Sequence, residues 1–281
     1  LVVYGPMAAI SVGKLFFGAF GPGFLLSASY ITYIIVRSLL QPSVAPPVPA
    51  EERAVPFREK TIRLLTVLVP PMVLIFSVLG VIFFGIAAVT EAAGIGALAS
   101  IILAAAYRRF SFGVLKEVTL LTMRISGWVM LMAGMAFAFT GVFIGAGGGL
   151  IVKDLILATP GGSWGAFAVI MFITFILGFF IDWWGIVFIM VPIITPIVPE
   201  LGFDPVWFAI MVCVNLQMAF MTPPMAAAIF LVKGSAEPSL GVTTPDIIRG
   251  VIPFVGMIVV TLGLCTAFPQ IITWLPGMMI K

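Results

Sequence analysis

Histidine is absent from this chain of 281 residues, and charged residues account for only 9% of it. Without imidazole groups, histidine-based catalysis, histidine proton relays and imidazole metal sites are excluded. The two cysteines, Cys213 and Cys265, both lie in apolar runs, and this placement does not predict a disulfide framework. Chemistry that depends on histidine or on paired cysteines is therefore not expected.

Hydrophobic residues make up most of the chain. Their share is 62%, the mean hydropathy is +1.26, and apolar runs repeatedly exceed about eighteen residues. A soluble domain of this length would carry about a quarter charged residues. The net charge of +3 is small and its basic residues lie between apolar runs, which indicates membrane orientation rather than nucleic-acid binding. The composition predicts an all-α, polytopic membrane protein.

The apolar runs predict five full spans and one linker. The linker, residues 41–63, mixes five prolines with charged side chains and is predicted to be a solvated loop. The spans are predicted at Leu15–Leu40, Leu64–Gly85, Ala87–Tyr107, Ile125–Ala146 and Ile247–Leu275.

Two segments, Gly178–Gly185 and Asn215–Pro224, place polar residues inside very apolar sequence. Asp182 is the only charged residue in residues 155–199, a run too long for one crossing that is predicted to fold back near this carboxylate. The length of the run leaves open whether its arms cross fully or meet at mid-depth as a re-entrant hairpin. Further on, Thr222-Pro223-Pro224 is predicted to break a helix. Broken helices and single charges at membrane depth persist only when buried in protein or lining a cavity, so both segments predict a functional site.

Each of these residues also has a purely structural interpretation. Asp182 could be the N-cap of the following helix. Asn215 and Gln217 could join neighbouring helices by hydrogen bonds, and the Thr222 break could be only a kink. Glu91, near a predicted span end, is expected to cap a helix or to pair with a basic residue.

An internal repeat is weakly detectable. Ser11–Phe20 matches Thr243–Ile252 at an offset of 232 residues, and both stretches lead from an interrupted segment into a span. The chain begins at Leu1, in apolar sequence and without an initiator methionine. It is therefore expected to be a fragment that contains only the tail of the first copy.

A series of motifs follows a fixed order along the chain. Together they resemble the C-terminal portion of the large membrane subunit of tripartite ATP-independent periplasmic (TRAP) transporters, over residues 1–276. Lys14 departs from the family pattern, which usually has an acid there. The motifs are Leu1–Gly5, Ser11–Gly18, Thr90–Ala93, Gly178–Trp184, Pro192–Pro196, Gly202–Phe208 and Asn215–Pro224.

The resemblance implies an elevator-type transporter fold with inverted repeats, a re-entrant helical hairpin and a broken helix. Residues 1–40 would then end the first repeat, 41–63 would form the inter-repeat loop, and 64–281 would form the second repeat. Within that repeat the hairpin is expected at about 163–201 and the broken helix at about 206–233.

The resemblance also implies a function and partners. The chain would be a permease subunit of the bacterial cytoplasmic (inner) membrane that imports an organic acid with sodium. Its implied partners are the small TRAP membrane subunit, a periplasmic substrate-binding protein, the organic acid and the lipid bilayer. No cofactor is expected besides Na⁺ as coupling ion, no metal site besides sodium, and no nucleic acid.

Site residues follow from the resemblance as well. The sodium ligands would be Gly178, Ala219, Thr222 and Met225, mostly through backbone oxygens. The substrate and hairpin region would comprise Asp182, Trp183, Asn215, Gln217, Pro223 and Pro224.

Two other functions are alternatives to sodium-coupled import. A passive ion channel or membrane scaffold subunit would not need a broken helix flanked by amides, although channels do expose carbonyls. An intramembrane enzyme would need paired carboxylates, an activated nucleophile or a metal cluster, and the single Asp182 of its run offers none of these.

Overall fold

The computed structural model describes residues 1–43, 56–237 and 241–278. Of these described residues 79% are helical, and no strand occurs among them. Most of the predicted inter-repeat loop, residues 44–55, lies outside the described residues. The helices are α1 (Tyr4–Met7), α2 (Val12–Leu40), α3 (Phe57–Phe83), α4 (Val89–Ala106), α5 (Phe112–Gly145), α6 (Gly148–Leu157), α7 (Gly162–Leu177), α8 (Trp183–Ile194), α9 (Pro205–Met221), α10 (Ala227–Ser235), α11 (Thr244–Ala267) and α12 (Gln270–Gly277).

Each of the five predicted spans contains a helix long and apolar enough to cross a membrane, namely α2, α3, α4, α5 and α11. Four of them begin earlier than predicted, two by only three residues and two by seven residues or more. Helix α3 starts at Phe57 rather than Leu64, and α5 starts at Phe112 rather than Ile125. The added turns carry Lys, Glu and Arg, which are good helix formers even though they are too polar for a hydropathy criterion.

The last predicted span, Ile247–Leu275, is wrong as one continuous helix. It divides into α11 and α12 at Phe268 and Pro269. Proline lacks an N–H, so Pro269 cannot donate to the carbonyl of Cys265 one turn earlier. That carbonyl accepts a hydrogen bond from the indole Nε1 of Trp207 at 3.0 Å instead.

The described chain forms two compact units, residues 1–30 with 125–281, and residues 31–124. In the second unit, α3 packs along α4. The Tyr107 hydroxyl donates to the Thr66 carbonyl at 2.5 Å, and Gly96 lies so close to Val78 that an added Cβ would fall 2.8 Å from a methyl carbon. The boundaries of these two compact units differ from the boundaries of the predicted repeats. The repeat boundaries therefore stay a prediction.

Helix α9 is the centre of the first unit. It contacts α7, α8, α10, α11 and α12, and most of its side chains are buried. Asp204 caps its start by accepting from Trp207 N at 2.8 Å. The buried amide of Asn215 donates to the Met171 carbonyl of α7 at 2.8 Å, so Asn215 joins two helices.

The helix starts agree with the predicted repeat. Helix α2 begins at Val12 and α11 at Thr244, and 244 − 12 gives the offset of 232 found in the sequence. In the second copy Asp246 accepts from Thr243 N at 3.0 Å and so caps the helix. Lys14 occupies the matching position of the first copy, where a cation cannot accept that bond.

Candidate functional site

Helix α9 ends at a break, and the two prolines of this break leave backbone carbonyls of the helix without their usual N–H partners. Thr222 leaves the helix in an extended conformation, and its N–H still donates to the Met218 carbonyl at 2.9 Å. The next two carbonyls, those of Ala219 and Phe220, would pair with residues 223 and 224 in a continuous helix. Both of those residues are prolines without an N–H, so the two carbonyls have no helical partner.

The side chain of Thr222 adds another oxygen to this break. Its hydroxyl donates to the Met218 carbonyl at 2.8 Å. Because the hydroxyl uses its hydrogen in this bond, its lone pairs remain available to accept.

A helical hairpin, formed by α7 and α8, lies against the break. Helices α7 and α8 are separated by residues 178–182, and both helices contact α9. A Cβ added to Gly178 would lie 2.3 Å from the Ala219 Cβ and 3.0 Å from its Cα. The structure thus brings together Gly178 and Ala219, two of the residues for which the family resemblance implies a sodium role. Thr222 follows Ala219 by three residues, about one helical turn.

Asp182 is the N-cap of α8, as its structural interpretation predicted. Its carboxylate accepts from Trp184 N at 3.3 Å, and its backbone is extended at φ −61° and ψ 149°. The indole rings of Trp183 and Trp184 lie with centroids 4.1 Å apart. Glu91 is also confirmed as a cap, because its carboxylate accepts from Ala88 N at 2.9 Å.

A cavity of about 700 Å³ adjoins these residues. Its walls come from the start of the chain and from α2, α8 and α9, and all of them belong to one compact unit. Gln217 of the predicted region lines the cavity, as does Trp183. Asn215 does not line the cavity, because its side-chain amide donates a hydrogen bond to the Met171 carbonyl of α7.

The remaining predicted residues are the two prolines of the break and the methionine that follows them. Pro223 and Pro224 are exposed and form the break itself. Met225 follows with 47% of its surface exposed, and no described contact brings it to Gly178.

Tyr4 and Tyr30 also line the cavity, and sequence reasoning did not find them. Tyr4 is in α1, which contacts α8 although nearly 180 residues separate them. A local pattern cannot reveal such a contact, and only the folded chain brings the two tyrosines to the same cavity as Trp183.

Five helices long and apolar enough to cross a membrane, with polar residues gathered at a helix break, define the class of the chain as a polytopic membrane protein. The family model of the tripartite ATP-independent periplasmic transporter, DctM component, matches residues 1–271. The chain belongs to this family.

Several curated relatives support the assignment over the whole chain. The sialic acid TRAP transporter permease protein SiaT of Haemophilus influenzae is 29% identical, across 100% of this chain and 44% of that protein. The C4-dicarboxylate TRAP transporter large permease protein DctM of Pseudomonas aeruginosa is 28% identical, across 99% and 62% respectively. The ectoine TRAP transporter large permease protein TeaC of Halomonas elongata is 24% identical, across 98% and 62%. The chain therefore spans about half the length of the curated relatives it matches.

These relatives are transporter permeases of the bacterial inner membrane and not enzymes. The chain is accordingly a multi-pass protein of that membrane, and its family implies a transporter assembly with other subunits.

Proposed function

We propose that the chain contributes to sodium-coupled import of an organic acid, with the coupling ion at the Thr222 break. The observation that carries the proposal is the contact between Gly178 and Ala219 beside a helix end where two prolines leave two carbonyls without a helical partner. Sodium is a hard cation that needs several oxygen ligands, and broken membrane helices supply them as freed carbonyls at a negative dipole end.

The ligand set would combine backbone and side-chain oxygens. The carbonyls of Gly178 and Ala219 would face the ion, and the Thr222 hydroxyl would add its lone pair. Met225 would contribute its carbonyl, which requires the segment after the prolines to close over the ion. These oxygens carry no formal charge, which suits a monovalent cation that must bind and leave within a transport cycle.

The start of α8 is the proposed site for the substrate carboxylate. Unpaired N–H groups in the first turn of a helix favour an anion, and Trp183 at this position faces the cavity. The Asp182 carboxylate already accepts a hydrogen bond from the Trp184 N–H and places a negative charge at this helix start. A nearby sodium ion would offset this charge, which would make substrate binding depend on sodium.

The assembly proposed around the chain contains a small TRAP membrane subunit and a periplasmic binding protein that delivers the acid. The relatives include sialic acid, C4-dicarboxylate and ectoine permeases, so membership of the family does not by itself identify the acid.

The proposal is tested with the complete transporter in proteoliposomes, together with its small subunit and binding protein. Uptake of radiolabelled organic acids is measured under an inward sodium gradient and under an equal potassium gradient. Uptake that requires the sodium gradient is expected. Equal uptake in both gradients would contradict sodium coupling, and a non-saturable sodium conductance without uptake would favour the passive-channel alternative.

A further inference from the structure

Arginine and aromatic side chains lie next to one another where α4 leads into α5. The α4–α5 loop, residues Tyr107–Phe112, has the sequence Tyr-Arg-Arg-Phe-Ser-Phe, and all six residues are exposed. The rings of Phe110 and Phe112 lie with centroids 6.1 Å apart, and Phe112 is 83% exposed. In membrane proteins, aromatic side chains concentrate at the level of the lipid headgroups. The loop therefore has the composition of a segment that lies in this region.

A hydrogen bond holds the α4–α5 loop beside the start of α3. The Tyr107 hydroxyl donates to the Thr66 carbonyl, and Arg63 precedes Thr66 by three residues, about one helical turn. Both segments belong to the same compact unit. In residues 57–63 and 107–111, all of which are described, five side chains are cationic and one is a carboxylate, Glu59, which pairs with Arg63 at 2.6 Å. The cations are Arg58, Lys60, Arg63, Arg108 and Arg109.

The length of α4 places these cations at the depth of the lipid phosphates. Its 18 residues span about 27 Å, close to the hydrocarbon thickness of about 30 Å. The α4–α5 loop, which follows α4 directly, therefore lies at the edge of the hydrocarbon. The nine residues of α3 that precede Thr66 extend about 14 Å beyond this level, through the headgroup region.

The backbone of Arg108 is in the left-handed conformation, with φ 54°. Helix α4 ends in the hydrogen-bond pattern of a Schellman motif, because Arg108 N donates to the Ala105 carbonyl and Arg109 N to the Ala104 carbonyl, both at 2.9 Å. Glycine is the usual residue at this position, since a Cβ disfavours the left-handed conformation. The turn itself does not require an arginine, which indicates that the Arg108 side chain serves a contact outside the turn.

We propose that the α4–α5 loop and the start of α3 bind the phosphate of an anionic phospholipid. Guanidinium groups donate paired hydrogen bonds to phosphate oxygens, and cations near a membrane surface attract anionic lipids. The exposed rings of Phe110 and Phe112 contact the acyl chains below the headgroup. Loops rich in Lys and Arg lie on the cytoplasmic side, so the lipid belongs to the cytoplasmic leaflet. This inference does not depend on sodium coupling.

Arg108→Gly separates lipid binding from folding. Glycine adopts φ 54° without strain, so the unfolding midpoint in the absence of lipid should not fall, whereas the response to anionic lipid should weaken. Ala9→Gly is a matched control. Ala9 is also exposed and left-handed, with φ 55°, and its replacement changes no charge.

The experiment titrates lipids into the purified, delipidated complete transporter in neutral detergent and follows its thermal unfolding midpoint. Phosphatidylglycerol, phosphatidylethanolamine and soluble glycerol phosphate are compared. Stabilisation by phosphatidylglycerol is expected, with a weaker response to phosphatidylethanolamine and none to glycerol phosphate. The phosphatidylglycerol concentration for half-maximal stabilisation should rise about fivefold in Arg108→Gly and about twentyfold in Arg108→Gly/Arg109→Gln. Ala9→Gly should match the wild type.

Three results would overturn the inference. Equal stabilisation by phosphatidylethanolamine would show that the negative headgroup is not recognised. An equal shift with glycerol phosphate would identify a site for free phosphate rather than for a lipid. A phosphatidylglycerol response that is unchanged in Arg108→Gly/Arg109→Gln would place the lipid elsewhere, including the case in which a partner protein covers these arginines. If the double variant fails to fold, Arg108→Gly and Arg109→Gln are compared separately with the wild type, and an unchanged response in both would likewise overturn the inference.

Discussion

At the scale of single residues, the account depends most on Thr222. Its hydroxyl is the side-chain oxygen at the break and already donates to the Met218 carbonyl. A substitution that keeps its shape and removes the oxygen therefore separates a ligand role from packing.

Thr222→Val is expected to raise the sodium concentration for half-maximal uptake several-fold, because the ion loses one oxygen ligand. A loss of about 1.4 kcal/mol of binding free energy would weaken the affinity tenfold. Thr261→Val is the matched control, since Thr261 makes the same kind of bond to the Met257 carbonyl at 2.9 Å in α11. Uptake is measured as a function of sodium concentration for both. An equal change in the two variants would show that only a helix hydrogen bond had been lost.

The small size of Gly178 allows its close packing against Ala219. Gly178→Ala would place a Cβ 2.3 Å from the Ala219 Cβ, so the hairpin and α9 must move apart. Overpacking of this kind typically costs about 1–3 kcal/mol, and loss of uptake with a lower unfolding midpoint is expected. Gly256→Ala meets no heavy atom within 4 Å and should not lower that midpoint.

A second substitution checks the cause of the Gly178→Ala effect. Adding Ala219→Gly removes the atom in closest conflict and should restore part of the stability. A double variant no more stable than Gly178→Ala would show that the contact with the Ala219 methyl group is not the reason.

At the scale of elements, the start of α8 depends on its cap. Asp182→Ala removes the acceptor for Trp184 N and should destabilise the protein by about 1 kcal/mol. Asp182→Asn retains a good capping side chain and should unfold close to the wild type. Thermal unfolding in detergent compares the two variants, and equal losses in both would mean that the charge of Asp182, and not its cap, stabilises the hairpin.

The join between α11 and α12 allows a similar test. Trp207→Phe keeps an aromatic ring and leaves the Cys265 carbonyl without its donor, because Pro269 cannot replace it. An unpaired buried polar group costs about 1–3 kcal/mol. Trp274→Phe, at a position that is 65% exposed, should change the unfolding midpoint much less. A smaller loss from Trp207→Phe than from Trp274→Phe would contradict the importance of this bond.

The elements also show what a sequence can reveal. Long apolar runs identified the five spans, and proline chemistry identified the end of α9 at Thr222. The end of α11 was missed although Pro269 was visible, because hydropathy does not register a break whose freed carbonyl is satisfied by a distant indole. Asn215 was left undecided for a related reason, since its partner Met171 lies on another helix.

At the scale of the whole molecule, the first residues of the chain and α2 lie beside α9, the central helix of their compact unit. The first residues, α2 and the end of α9 line the same cavity, although they are far apart in sequence. Motifs could predict the break and the hairpin one at a time. The cavity could not be predicted from them, because its walls depend on how α1 and α2 pack against α8 and α9.

Direct binding of sodium tests the central claim most plainly. Equilibrium binding of radiolabelled Na⁺ is measured on the complete transporter, with unlabelled sodium or potassium as competitor, for the wild type and for Thr222→Val and Thr261→Val. Saturable binding that sodium displaces and potassium does not is expected, strongly weakened in Thr222→Val and unchanged in Thr261→Val. Wild-type sodium binding that persists at full affinity in Thr222→Val would contradict the assignment of the coupling ion to this helix break.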